Sequence, residues 1–147
     1  MNKIIAAGLF LALAGCAVGP DQSFVAKIPA QADAEVLAAG VAEFVGYRIP
    51  SGGKVALAPM AFEQATDSVT PILQAEFEHQ GLTVVPADEA AADVHRLRYL
   101  VTELDGGALV RVTLDGAATG ARYFARNPAG ALQPGGPYTV NTAETAR

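Results

Sequence analysis

The sequence predicts an α+β domain of two layers, with two helices packed on one face of a mostly antiparallel sheet of about five to six strands. Three observations carry this reading. Apolar residues recur at helical spacing in two stretches, Val36 to Val45 and Val69 to Phe77. The segment from Val55 to Val85 reads strand, helix, strand. From Val94 onward the apolar period falls to two, interrupted by Asp105-Gly106-Gly107 and Asp115-Gly116, both hairpin turn signals. Helices beside a run of hairpin-linked strands imply a layer of each.

The chain opens on Lys3 and then Ile4 to Ala14, eleven residues with no charge and no proline. A basic start followed by a short apolar run is the pattern of an export signal. A permanent span needs ~20 apolar residues, so this run is too short to be one. It ends in Leu13-Ala14-Gly15-Cys16, which resembles the lipobox of bacterial lipoproteins, where the thiol is acylated with diacylglycerol before cleavage. The resemblance makes Cys16 the lipidation site and the bilayer a partner through it. Cys16 is the only cysteine, so its acylation leaves no disulfide in the mature chain. One acyl chain binds membranes only marginally, but a lipoprotein cysteine carries two or three, enough for lasting attachment. Ala17, rather than aspartate, follows the cysteine, which among such lipoproteins favours the periplasmic face of the outer membrane.

Removal of residues 1–15 leaves 132 of the 147 residues, enough for one domain with a real core. Lys3 is lost with them, so nine basic side chains face fifteen acidic ones, a net charge of −6. An acidic chain with dispersed cations is a poor nucleic-acid binder, and no direct nucleic-acid contact is expected. The positive mean hydropathy owes much to the signal and to alanine. The division that follows is residues 1–15 signal peptide, 16–30 lipidated N-terminus and tether, and 31–147 a single α+β periplasmic domain.

Ala17 to Pro29 carries two prolines, polar residues and one apolar pair, Phe24-Val25, and reads as a tether. Residues 17 to 30 could extend ~3.3 Å each, a reach of ~45 Å. The first helix is placed over about 33–45, with Asp33 as its N-cap and Gly46 past its end. Tyr47 to Gly53 is a loop. Lys54-Val55-Ala56-Leu57-Ala58-Pro59 is a strand between breakers. In the second helix Ser68 is the expected cap, Pro71 lies in the tolerant first turn, His79 lies in the last turn and Gly81 terminates it. Leu82-Thr83-Val84-Val85 returns as a strand. After an alanine-rich acidic connection come three strands, Val94 to Leu104, Ala108 to Leu114 and Ala118 to Arg126. In the middle one Val110, Val112 and Leu114 share a face, with Leu109, Arg111 and Thr113 on the other. Asn127 to Pro137 reads as a long loop, and Tyr138-Thr139-Val140 as a short final edge strand.

No catalytic, cofactor or metal set can be assembled from these residues. His79 and His95 have no histidine or cysteine at ligand spacing. Glu76 and Glu78, two apart on a helix, point to different faces. Gly52-Gly53-Lys54 leads into a strand, whereas a phosphate cradle leads into a helix. No Gly-x-Ser-x-Gly turn occurs. The chain is therefore read as no enzyme and as needing no cofactor. Five arginines remain on the hairpin strands: Arg96, Arg98, Arg111, Arg122 and Arg126. Arg122 and Arg126 share one strand face, opposite Tyr123, and are candidates for a basic partner-binding strip; the alternative is a solvated face.

The order of motifs on these strands resembles a known family. Leu97-Arg98-Tyr99, Val110-Arg111-Val112-Thr113-Leu114, Ala121-Arg122-Tyr123, Gly130-Ala131-Leu132 and Pro134-Gly135-Gly136, after a lipobox and a helix ending in Gly81, resemble the TrbH-type lipoproteins of conjugative type IV secretion systems. Ala121-Arg122-Tyr123 departs from the family by shifting its arginine, and Tyr138 stands where tryptophan is frequent. The resemblance implies a small outer-membrane lipoprotein that accompanies the ring of a DNA-transfer channel, with the ring and channel subunits as partners and no catalytic residues carried over. It also implies an N-terminal segment laid against the ring, which makes Phe24 and Val25 candidate docking residues. The alternative for this pair is to fold back onto its own domain as an edge strand. The alternative for the whole chain is an envelope lipoprotein that assists or senses outer-membrane assembly.

Overall fold

The computed structural model describes residues 19–26, 30–61, 67–89 and 91–142. Cys16 and residues 1–15, read as an export signal, lie outside the described residues. Two helices cover one face of a single mixed sheet of eight strands, an α+β fold. The strands are β1 (Phe24–Val25), β2 (Lys54–Leu57), β3 (Thr83–Val85), β4 (Val94–Leu104), β5 (Gly107–Leu114), β6 (Ala118–Arg126), β7 (Leu132–Pro134) and β8 (Thr139–Thr142); the helices are α1 (Gln31–Gly46) and α2 (Val69–His79). The sheet runs β3-β2-β4-β5-β6-β7, with β1 beside β4 and β8 beside β6. The four pairings from β4 onward are antiparallel, and the three that join β1, β2, β3 and β4 are parallel.

The long hairpins follow from their turn residues. Asp105 and Gly106 both adopt positive φ, 49° and 76°, the twist-compatible geometry of a two-residue hairpin that pairs Leu104 with Gly107. Every second side chain then faces the helices. Leu97, Tyr99, Val101, Val110, Val112 and Phe124 are fully buried on that side, against Leu37, Val41, Phe44 and Val45 of α1 and Leu73 and Phe77 of α2. Leu109, Arg111 and Thr113 lie on the opposite, uncovered side.

Several elements differ from the sequence reading. Helix α1 starts two residues earlier, at Gln31, with Ala30 in the cap position, so Asp33 is not a cap. It lies in the first turn, only 4% exposed, where its carboxylate meets Arg126. Ser68 does stand at the N-cap position of α2, but its side chain makes no capping bond there. Asp67 supplies it instead, its Oδ1 accepting from the backbone N–H groups of Val69 at 3.0 Å and Thr70 at 3.1 Å. Gly81 closes α2 as anticipated: at φ 79° its N–H donates to Glu78 O and that of Leu82 donates to Phe77 O, the paired bonds of a Schellman end. The region read as one long loop contains β7, which adds Leu132 to the core.

Part of the span read as a tether, residues 16–30, belongs to the domain. Phe24 and Val25 pair in parallel with Leu100 and Val101, and Val25 is 3% exposed within the core. Residues 19–26 are thus part of the domain. They enter because β2 diverges from β4 after Leu57, leaving the far half of that β4 edge to a second strand.

Candidate functional site

The N-terminal segment lies against the sheet as a strap. Ser23 is fully buried and bridges two partners: its N–H donates to Pro59 O, its O accepts from Ala61 N, and its Oγ accepts from Tyr99 N at 3.1 Å. The serine hydroxyl thereby satisfies a strand N–H that β2, having diverged, no longer reaches. Ala26 N completes the pairing with Val101 O. Before Ser23, a tight turn from Gly19 to Gln22 is held from the side by Arg98, which donates Nε to Gln22 O at 2.8 Å and Nη2 to Gly19 O at 3.4 Å.

Beside this strap, on the uncovered face of the sheet, runs a groove of about 770 Å³ walled by Pro20, Ala56, Ala58, Val94, Arg98 and Thr113. Asp21, Asp88 and Asp115 line it as well. Asp115 is engaged there, accepting from Arg96 N and meeting His95 Nδ1 at 2.7 Å. The other arginine of the groove, Arg96, donates to the carbonyls of Ala87 and Glu89.

Arg122 and Arg126 do lie on one face, but it is the helix side, and both are engaged within the domain. Arg122 pairs with Glu43 of α1 at 2.8 Å and donates Nε to Gly136 O. Arg126 holds Asp33 with both terminal nitrogens and donates to the carbonyls of Gly106 and Gly130. Both pair their charge with carboxylates of α1, and together they fasten α1 and the 127–136 segment to β6. Around them Tyr138 donates its hydroxyl to Gly40 O at 2.8 Å and meets the Phe44 ring edge-on at 5.1 Å. Burial pushes the Tyr138 hydroxyl well above the ordinary phenol range.

The interior polar cluster is structural in its geometry. The Tyr99 hydroxyl bonds the Thr70 hydroxyl, which donates to Asp67. Burial raises Tyr99 to about 12, against the opposing effect of the bond from Thr70. Among the described residues, no three His, Cys, Asp or Glu side chains converge as metal ligands, and no helix is long and apolar enough to cross a membrane.

Sequence reasoning placed Arg122 and Arg126 on one face but missed their carboxylate partners, and it held the strap open only as the alternative in which Phe24-Val25 folds back as an edge strand. Ser23 and Arg98 carried no signal, because each acts on a segment about 76 residues away in sequence.

The family model described as conjugal transfer protein TrbH matches residues 18–144 of this chain. No curated protein and no solved structure matches it significantly.

Proposed function

Because the chain belongs to the TrbH family of conjugal transfer proteins, we propose that it serves as an outer-membrane lipoprotein, a structural accessory subunit of a conjugative type IV secretion channel. Acylated Cys16 is its anchor, the periplasmic face of the outer membrane its location, and the ring and channel subunits its protein partners. The observation that carries this reading is the family match over 18–144, which follows directly on Leu13-Ala14-Gly15-Cys16. The folded domain fits an accessory role: its polar clusters pin one element to another, and its arginines on the helix side are ion-paired internally.

Metabolic labelling with palmitate tests the anchor. Wild type is expected to take up label and fractionate with the outer membrane, whereas Cys16→Ser takes up none and leaves an uncleaved precursor or a periplasmic form. Label in Cys16→Ser overturns the assignment. Deletion of the gene is expected to abolish DNA transfer between cells, with wild type but not Cys16→Ser restoring it. Undiminished transfer with a defective envelope would favour the role in outer-membrane assembly instead.

A further inference from the structure

We propose that the uncovered face of the sheet lies on the membrane, as a docking surface for anionic phospholipid headgroups. The proposal rests on the reading of Cys16 as the lipid anchor, and it follows from where the chain leaves the domain and how its charge is divided.

Arg98 holds the Gly19 and Gln22 carbonyls on the uncovered side. Cys16 is three residues before Gly19, a reach of only ~10 Å at full extension. An acylated Cys16 therefore brings this side, and not the helices, to the bilayer surface.

The charges agree with that placement. Arg96 and Arg98 donate to backbone carbonyls, which satisfy hydrogen bonds without cancelling the positive charge, and Arg111 is exposed on the same face. Among the described residues none of these three forms an ion pair with a carboxylate, whereas Arg122 and Arg126 on the helix side both do; Arg48, past the end of α1, donates to Phe44 O and lies over its ring. The strand positions of the uncovered face carry no Asp or Glu; the acids nearby, Asp21, Asp88 and Asp115, line the groove from its loops. Glu35, Glu76 and Glu78 occupy the helices on the far side. Although the mature chain is acidic, the strands of its uncovered face thus carry arginines and no carboxylate, the acids beside them standing on loops.

Between the arginines stand half-buried apolar groups, Leu100, Leu109 and Tyr123, suited to the boundary between headgroups and acyl chains. The acyl anchor is the first membrane signal and this basic surface the second.

The test uses the full chain, purified in detergent with intact mass reporting acylation of Cys16, so that an introduced cysteine is the one reactive thiol. A fluorophore is attached at Thr102→Cys on the uncovered face or at Ala39→Cys, exposed on α1. Each protein is reconstituted into vesicles of phosphatidylcholine, with or without phosphatidylglycerol, carrying a spin-labelled headgroup as quencher. Quenching is expected at Thr102→Cys with phosphatidylglycerol and not at Ala39→Cys. Arg111→Glu should weaken it; each unit of charge is worth about fivefold at an anionic surface, so reversal costs about 25-fold. With Cys16 acylated, equal quenching at both sites, or indifference to phosphatidylglycerol or to Arg111→Glu, overturns the docking alone. A bare Cys16 overturns the anchor and the docking with it. Shielding of the Thr102→Cys label in detergent alone would mean that a second copy covers the face, which also overturns the proposal.

Discussion

Ser23 shows how much one hydroxyl can decide. Its Oγ is the acceptor for the buried N–H of Tyr99 at the point where β2 has left the sheet. Ser23→Ala removes that acceptor and nothing bulkier, so the Tyr99 amide is orphaned in the interior at a cost of about 1–3 kcal/mol. A lower melting temperature, with faster hydrogen exchange at the Tyr99 amide, is the expected result; unchanged exchange would show that another group takes over the N–H. Tyr99 itself gives a pH dependence. Its hydroxyl is raised from 10.0 to about 12 by burial, so the folded state holds a proton that the unfolded chain releases earlier. A raised pKa stabilises below the unfolded value and loses that contribution as pH rises through the folded one. Stability should fall between about pH 10 and 12, by on the order of 2–3 kcal/mol. Denaturant unfolding across that window checks it, and Tyr99→Phe should flatten the slope. The arginines teach the complementary lesson about reading sequence. That Arg122 and Arg126 share a face follows from period two, but Glu43 and Asp33 are 79 and 93 residues away, and only the packing of α1 on β6 brings them near.

The elements that sequence pattern specifies well are those whose ends carry their own chemistry. Helix α2 stops at Gly81 because φ 79° there lets two N–H groups turn back onto Glu78 O and Phe77 O. Gly81→Val strains that conformation by ~1 kcal/mol or more, and the added Cβ would collide with Ser51 Oγ. A clear drop in melting temperature is expected, while an unchanged one would mean that the α2 end can relax without the left-handed residue. Strands β4, β5 and β6 were readable for a similar reason: Asp-Gly turns fix their register, and alternation fixes their buried face. Strand β7 was not, and β1 was open only as the alternative for Phe24-Val25. Two or three residues give no period, and each is a strand only because a distant edge, β4 or β6, accepts it. The cap of α1 lies three residues before Asp33, which was recruited by Arg126, and at α2 Ser68 holds the cap position while Asp67 reaches the amides meant for it.

Whether the N-terminal segment is a flexible reach toward a partner or a part of the body is a property of the whole molecule. As a tether of residues 17–30 it would let the domain roam ~45 Å from the membrane. With the strap in place, the span from Cys16 to the body shrinks to residues 16–19, and a lipid anchor at Cys16 would hold the domain close to the membrane. The double variant Phe24→Ala, Val25→Ala distinguishes these situations. Val25 is 3% exposed and packs in the core, so truncating it removes transfer energy and leaves a cavity. Phe24, half-buried beside Leu100, loses further contact area. Together the substitutions should cost roughly 2–4 kcal/mol, read as a lower denaturation midpoint. They should also loosen the strap, so that proteolysis between residues 19 and 26 accelerates. Co-purification with channel subunits supplies the second readout. If the pair acts by folding back onto β4, partner retention follows stability and recovers when the domain is stabilised elsewhere. Loss of the partner at unchanged stability would instead make Phe24-Val25 an external docking strand, one that leaves β4 to engage the channel.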